Sequence, residues 1–225
     1  MGKYEFTDEI KVVNGIALHR IKAITDFGNV KVGELGGFIK KRANLSDEGN
    51  AWVSDNAEVC GDARVFGDAR VCGDARVFGD ARVCGDARVC GDAWVYGDAR
   101  VYGDARVSDN AEVCGDARVS GNAEVSDNAE VFGDARVYGD ARVCDNAEVC
   151  GDADYICIKG LGSEYRNTTF YNNKKGGVSV CCGCFYGTLD EFAAKVKETH
   201  ADNAYAKEYL AAVEVVKIHF GIKDD

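Results

Sequence analysis

A group of cysteines near the C-terminus has the type of side chain that binds metal ions. The sequence VCCGCF contains Cys181, Cys182 and Cys184, and Cys157 or a histidine could complete a four-ligand zinc site. The spacing lacks the paired Cys-x-x-Cys pattern of a strong zinc signal. Alternation along a strand would also place at least one of these thiols in the core. The three cysteines are candidate ligands, but we expect buried or half-exposed thiols with no metal and no other cofactor.

A second candidate site is the segment GLGSEYRNTTFY, residues 160–171, which combines glycines and hydroxyl groups with Arg166. Backbone amides together with an arginine can bind an anion. Because no helix follows directly, the segment is not a phosphate-binding loop of the usual kind. Arg166 is therefore a candidate for binding a small anionic ligand, and an ordinary loop is the alternative.

A third candidate is a mixture of aromatic and arginine side chains in the middle of the chain. It consists of Phe78, Trp94, Tyr96, Arg100 and Tyr102. Stacking and cation–π contacts make this combination typical of binding surfaces. We expect it to bind a partner protein or a nucleotide-like ligand.

Arginine and glutamate also recur at one position of a six-residue repeat. Within each series the members are 18 residues apart, or a multiple of 18, which corresponds to three repeat units. The arginines are Arg64, Arg82, Arg100, Arg118 and Arg136. The glutamates are Glu58, Glu112, Glu130 and Glu148. Solvated surface charge is one interpretation, since exposed ion pairs add little stability. The other is an oligomer, a homotrimer being favoured, in which the acidic face of one subunit meets the arginines of the next.

The repeat itself positions these side chains. Seventeen valines run from Val53 to Val149, one at every sixth residue. Each unit also carries an alanine and a Gly-Asp or Asp-Asn pair, except that one pair is Gly121-Asn122. Valine and alanine are two residues apart, so they share one side of a short strand, and the polar pair forms a corner. A six-residue period predicts a parallel β-helix. The recurrence after every third unit predicts three hexapeptides in each coil.

This pattern resembles the hexapeptide-repeat proteins over residues 39–154, which implies a left-handed parallel β-helix. One departure is the residue after each valine, which is Cys, Phe, Tyr or Ser here and commonly Gly, Ala, Glu or Asp in that family. The stretch ITDFGNVKVGELGGFIKKRANLSDEGNAWV resembles the start of bacterial hexapeptide proteins loosely labelled as transferases. Residues 155–220 resemble a tail found on phage and prophage versions.

The two ends depart from the repeat, so we divide the chain into residues 1–38, 39–154 and 155–225. Two apolar runs around Asn14-Gly15 predict a β-hairpin that caps the open end of the β-helix. The C-terminal part predicts three strands and two helices, a small α/β unit. The expected fold class is mainly β, with the β-helix between these two parts.

Bulk composition restricts the classes of function. A net charge of −11 argues against non-specific binding to nucleic acids. The number of cysteines, eleven, is odd, and seven of them occupy one repeat position that elsewhere holds Phe, Tyr or Ser. The chain also begins without an apolar signal segment. The sequence contains no run of about 18 apolar residues, the length that would predict a membrane-spanning helix. We expect a cytoplasmic protein with reduced thiols, in the bacterial cytosol and of possible phage or prophage origin by resemblance.

The resemblance also implies two activities to weigh, because acyltransferases of this fold use a histidine base and carbonic anhydrases use three histidines. Here the histidines are His19, His200 and His219, and none lies within the repeat. No insertion within residues 53–149 could fold over a substrate. We therefore expect a non-catalytic binding or scaffold protein. The alternatives are a phage-encoded modulator, an inhibitor or sponge of a host protein or signalling nucleotide, and a divergent acyltransferase-like enzyme.

Overall fold

The computed structural model describes residues 2–223, whose central part is a β-solenoid of about six turns. Two-residue strands alternate with four-residue corners, as the Val-centred repeat requires. The solenoid strands β4–β20 are Trp52–Val53, Glu58–Val59, Arg64–Val65, Arg70–Val71, Arg76–Val77, Arg82–Val83, Arg88–Val89, Trp94–Val95, Arg100–Val101, Arg106–Val107, Glu112–Val113, Arg118–Val119, Glu124–Val125, Glu130–Val131, Arg136–Val137, Arg142–Val143 and Glu148–Val149.

Every third strand of the solenoid pairs in parallel, so that β5 pairs with β8 and β8 with β11. Val77, Val95 and Val113, for example, are register partners in neighbouring turns. The pairing generates three sheets, which we call the nine-stranded, six-stranded and five-stranded sheets. The valines and alanines of the repeat lie between the sheets and are at most 1% exposed. Within the repeat the core is therefore narrow and built from valine and alanine side chains.

An N-terminal hairpin extends the nine-stranded sheet. Strands β1 (Tyr4–Val13) and β2 (Ile16–Ala23) pair antiparallel around the turn at Asn14-Gly15, where both residues have positive φ. Strand β3 (Leu35–Ile39) pairs with β2 on one side and with β5 of the solenoid on the other. This arrangement covers the strand edge that the first turn would otherwise expose.

The C-terminal part contains a four-stranded antiparallel sheet and two helices. The strands are β21 (Tyr155–Leu161), β22 (Arg166–Asn172), β23 (Val178–Cys182) and β24 (Phe185–Thr188). The helices are α1 (Leu189–His200), with Thr188 as N-cap, and α2 (Ala204–Phe220), which ends at Gly221. Strand β24 was not among the three predicted strands, because its four residues give no alternation long enough to recognise. Within residues 2–223 no helix is both long and apolar enough to cross a membrane.

One side of this C-terminal sheet packs on the solenoid and the other on the helices. Tyr171 and Cys181 belong to the solenoid core, whereas Phe170 and Val180 pack with Phe192 of α1. Alternation along β22 and β23 places neighbouring residues on opposite sides. The C-terminal unit is thus a cover for the last turn that has its own small core.

The corners predict a strong dependence of stability on glycine. Gly85 has φ +69°, and a Cβ there would lie 2.9 Å from the backbone nitrogen of Gly103 in the next turn. Gly15, at the hairpin tip, has φ +77° with open space around it. We expect Gly15→Ala to lower the unfolding free energy by about 1–3 kcal/mol through backbone strain. We expect Gly85→Ala to cost about 1–3 kcal/mol more, because the methyl group must displace the neighbouring turn.

Urea unfolding followed by circular dichroism measures the two variants side by side. Gly15→Ala is the control for φ alone, so the difference between the variants reports the close approach between turns. Equal shifts of the unfolding midpoint would contradict this account of the corners.

Candidate functional site

Five arginines form a row on the outer side of the five-stranded sheet. They are Arg64, Arg82, Arg100, Arg118 and Arg136, which we call the arginine face. Successive members are register partners in adjacent turns, about 4.8 Å apart. Arg118 is half-buried and the other four are exposed. Within residues 2–223 none of the five forms an ion pair.

The row brings like charges together, and within residues 2–223 no carboxylate forms an ion pair with them. Like charges directly opposite each other in a sheet are destabilising. The aspartates two residues before the arginines are not their ion-pair partners, and Asp62 instead contacts Lys41 at 2.5 Å. The exposed aromatic rings of Phe66, Tyr102 and Tyr138 follow three valines of the same sheet. The arginine face therefore has the composition of a binding surface, with guanidinium groups that form no ion pair within residues 2–223.

The predicted acidic face is largely engaged within the chain. Glu58, Glu112, Glu130 and Glu148 do lie in one sheet, the nine-stranded sheet. Lys11 of the hairpin contacts the Glu58 carboxylate at 2.6 Å, and Glu58 is only 5% exposed. The expectation that Glu58 meets a neighbouring subunit is thus wrong, because the hairpin covers it.

Two further glutamates of this sheet have partners inside the chain. Lys174, in the turn between β22 and β23, contacts Glu130 at 2.7 Å. The Tyr96 hydroxyl donates a hydrogen bond to Glu112, which raises the pKa of Tyr96. Of the four predicted interface glutamates, only Glu148 is exposed. The acidic face is therefore a weaker partner for the arginine face than the sequence pattern indicated.

The predicted aromatic–arginine patch divides into two. Phe78 stacks on Tyr96 with ring centroids 4.8 Å apart and contacts Trp94 edge-on at 6.1 Å. These three residues form the aromatic cluster, beside the nine-stranded sheet. Arg100 and Tyr102 belong to the five-stranded sheet, one face further round the solenoid, so a binding surface formed by all five residues would span a corner and stays a prediction.

The arginine that does contact the aromatic cluster is Arg76, which the sequence analysis missed as a site residue. Its guanidinium lies 5.3 Å from the centroid of the Trp94 ring, a cation–π contact. The signal was present, because positions 76 and 94 are three repeat units apart and are register partners in adjacent turns. The six-residue period alone could therefore have identified Arg76 as the charged neighbour of the aromatic cluster.

Arg166 begins β22 and lies between two cavities. One, of about 260 Å³, is lined among others by Arg166, Cys182 and His200, and the other, of about 300 Å³, by Arg142 and Arg166. Arg166 is exposed and forms no ion pair within residues 2–223. Its guanidinium crosses so closely over Gly183 that a Cβ at that position would collide with it. An anionic ligand at Arg166 remains a prediction.

The cysteines of VCCGCF separate in the structure. Cys181 faces the solenoid core, Cys182 faces the helices and Cys184 is exposed. The Thr168 hydroxyl donates a hydrogen bond to the Cys182 sulfur over 3.1 Å. Among residues 2–223 no group of three or more His, Cys, Asp or Glu side chains is arranged to hold a metal ion.

The histidines lie outside the solenoid strands, each with a local contact. His19 in β2 lies 5.4 Å from the Phe6 ring, and His200 at the end of α1 stacks on Tyr209 at 5.7 Å. His219 in α2 has its Nε2 atom 3.0 Å from the carbonyl oxygen of Ala153. The three imidazoles therefore have three different local environments.

Comparison with known families identifies the repeat. A family model named YdcK beta solenoid repeat matches residues 69–85, 81–97 and 99–115. A search of curated proteins finds no match. The matched segments lie within the stacked strands of the solenoid. Together with the three sheets, the similarity defines a protein with a repeat β-solenoid.

One pair of stacked thiols has unusual electrostatics. Cys72 and Cys90 follow Val71 and Val89, which are register partners in adjacent turns. A hydrogen bond from the Cys72 thiol lowers the pKa of Cys90 to about 7, with Arg106 and Arg88 contributing in the same direction. The same contact raises the pKa of Cys72. All eleven cysteines are free thiols.

This arrangement predicts that Cys90 is alkylated at lower pH than an ordinary thiol. A lowered pKa increases the thiolate fraction near neutral pH, and the thiolate is the nucleophile. We expect half-maximal reactivity of Cys90 with iodoacetamide near pH 7 and a shift to higher pH in Cys72→Ala. Peptide mass spectrometry after short exposures at several pH values measures the profile. Cys84→Ala is the control, and an unchanged Cys90 profile in Cys72→Ala would contradict the proposed cause.

Proposed function

We propose that this chain is a non-catalytic scaffold protein whose solenoids associate with one another through the arginine face. The observation that carries the proposal is the row of five in-register arginines without ion pairs in the described chain. A row of like charges at this spacing is stabilised once carboxylates are placed opposite it. Guanidinium groups suit this role because they bind carboxylates with two parallel hydrogen bonds.

The charge balance supports a second copy of the chain as the partner. The whole chain carries −11, of which the five arginines contribute +5, so the remainder carries −16. The rest of the chain, taken together, is thus acidic and complementary in charge to the arginine face. Glu148 and the exposed corner aspartates, such as Asp116, are available as counter-charges. Glu58 is excluded from this role by its burial.

The proposed assembly is a homotrimer of left-handed β-helices with three hexapeptides in each coil, working in the bacterial cytosol. Handedness and trimer formation are implied by the resemblance to hexapeptide-repeat proteins. A head-to-tail contact between two different faces closes into a ring of three when each subunit is rotated by a third of a turn, which a three-sided rod accommodates. In such a ring each arginine face is buried once.

Charge reversal on the arginine face tests the proposal. We expect the wild-type chain to sediment as a trimer at micromolar concentration and low salt, and to dissociate as salt screens the charges. Arg100→Glu with Arg118→Glu should weaken association by about 100-fold or more, because two pairs become repulsive. Sedimentation velocity at about 50 mM and about 500 mM salt, between which the Debye length falls about threefold, measures both effects.

The matched control is Arg70→Glu with Arg88→Glu, which reverses two exposed arginines on the six-stranded sheet. It changes the net charge by the same amount and leaves the arginine face intact. We expect it to remain trimeric. A monomeric wild-type chain at low salt, or equal dissociation of the two double variants, would remove the proposal.

A further inference from the structure

The hairpin does more than extend a sheet edge, because its tip also covers part of the solenoid's outer surface. A cavity of about 160 Å³ lies between them, which we call the hairpin cavity. The hairpin contributes Val13, Asn14, Ile16 and Leu18 to its lining. The solenoid contributes Glu58, Cys60, Arg76, Phe78 and Trp94. The cavity thus forms where an irregular element meets the repeat.

The size and walls of the hairpin cavity suit one aromatic ring. Aliphatic side chains of the hairpin face the rings of Phe78 and Trp94 across it. An apolar cavity of about 150 Å³ in another protein remains dry and binds benzene. Ring edges and faces such as those of Phe78 and Trp94 favour a further aromatic ring by offset or edge-on packing.

Trp94 departs from the repeat and exposes a large aromatic ring beside the hairpin cavity. The chain has two tryptophans, both at the repeat position that elsewhere holds Arg or Glu. Trp52 is 4% exposed beneath Phe27 of the N-terminal segment, whose ring lies 5.4 Å away. Trp94 is 41% exposed, and no segment of the described chain covers it in the same way. Exposed tryptophan beside a cavity is typical of a binding residue.

The charges beside the cavity favour an anion. The buried Glu58 carboxylate contacts Lys11 at 2.6 Å and Arg76 at 3.5 Å. One carboxylate between two cations leaves a net charge of about +1 at this place, and Arg76 is the cation that lines the cavity. Its side chain is 42% exposed, so a ligand carboxylate can reach the guanidinium and pair with it.

We propose that the hairpin cavity binds a ligand with one aromatic ring and one carboxylate, the ring between the hairpin and Trp94 and the carboxylate on Arg76. The ligand is either a free aromatic acid or the C-terminal aromatic residue of a partner chain, which share this chemistry. The proposal does not depend on self-association, since every lining residue belongs to one chain.

Ligand titration followed by saturation-transfer NMR tests the site with defined probes. Benzoate carries both features, benzamide keeps the ring without the charge, and acetate keeps the charge without the ring. We expect saturable binding of benzoate and binding about tenfold or more weaker for benzamide and acetate, since each lacks one contact. N-acetyl-phenylalanine binding more tightly than benzoate identifies a C-terminal residue as the source, and the reverse order identifies a free acid.

Two variants connect binding to the named residues. Arg76→Gln removes the charge, and we expect it to weaken benzoate about tenfold or more while leaving benzamide unchanged. Trp94→Ala removes a wall and should weaken both probes. The controls are Arg88→Gln and Tyr102→Ala, which make comparable changes on other faces, and thermal unfolding confirms that each variant is folded.

Three results would overturn the proposal. The first is an absence of saturable benzoate binding to the folded wild-type chain. The second is equal affinity for benzoate and benzamide, since Arg76 would then not recognise the carboxylate. The third is benzoate binding that survives both Arg76→Gln and Trp94→Ala, which would place the ligand elsewhere. None of these results bears on the trimer, which sedimentation tests separately.

Discussion

The stacking of each valine on the equivalent valine of the next turn is the constraint on which the rest of this structure depends. Each strand of the three solenoid sheets has only two residues, so no single pair of strands is stable by itself. The stability comes from the same contact being repeated in every turn. Val77, Val95 and Val113 show this, because each is fully buried by its neighbours above and below. Between the two ends of the solenoid this narrow core contains valine and alanine at every repeat, and this requirement explains the monotony of the sequence.

The same constraint frees the outward positions from any role in the core. The arginine face is the clearest result, since five like charges are held in register by valines that bury no charge. On the six-stranded sheet a glutamate interrupts the row, because Glu124 lies between Arg106 and Arg142 and contacts both, although Arg70 and Arg88 of that row have no ion pair among the described residues. On the five-stranded sheet no glutamate interrupts the arginines, and this uniform row is the basis of the proposed self-association.

The six-residue period was sufficient to predict the repeating part of the structure, and it was insufficient to predict the contacts made by the hairpin and the C-terminal part. The solenoid and the assignment of the Glu58 and Arg64 series to two sheets follow from a residue's place within a turn. The burial of Glu58 does not follow from its place within a turn, because it depends on the position of the hairpin and on Lys11, which is far away in the sequence. The division of the aromatic–arginine patch between two sheets has a related reason: Trp94 and Arg100 are near neighbours in sequence, but one corner separates their faces. Nearness along a solenoid is measured in turns and not in residues.

Specific chemistry in such a fold must therefore arise where the repeat is broken or covered. An uninterrupted face presents the same side chains at a fixed spacing, which suits association with another extended surface. A cavity requires a second element at an angle to the strands, and within residues 2–223 the hairpin and the C-terminal sheet supply it. Trp94 replaces the usual charge at a point that the hairpin tip reaches, and Arg76 one turn away contacts its ring. A ligand site is therefore expected where Trp94, which departs from the repeat, lies beside the N-terminal hairpin, and not along the regular faces of the solenoid.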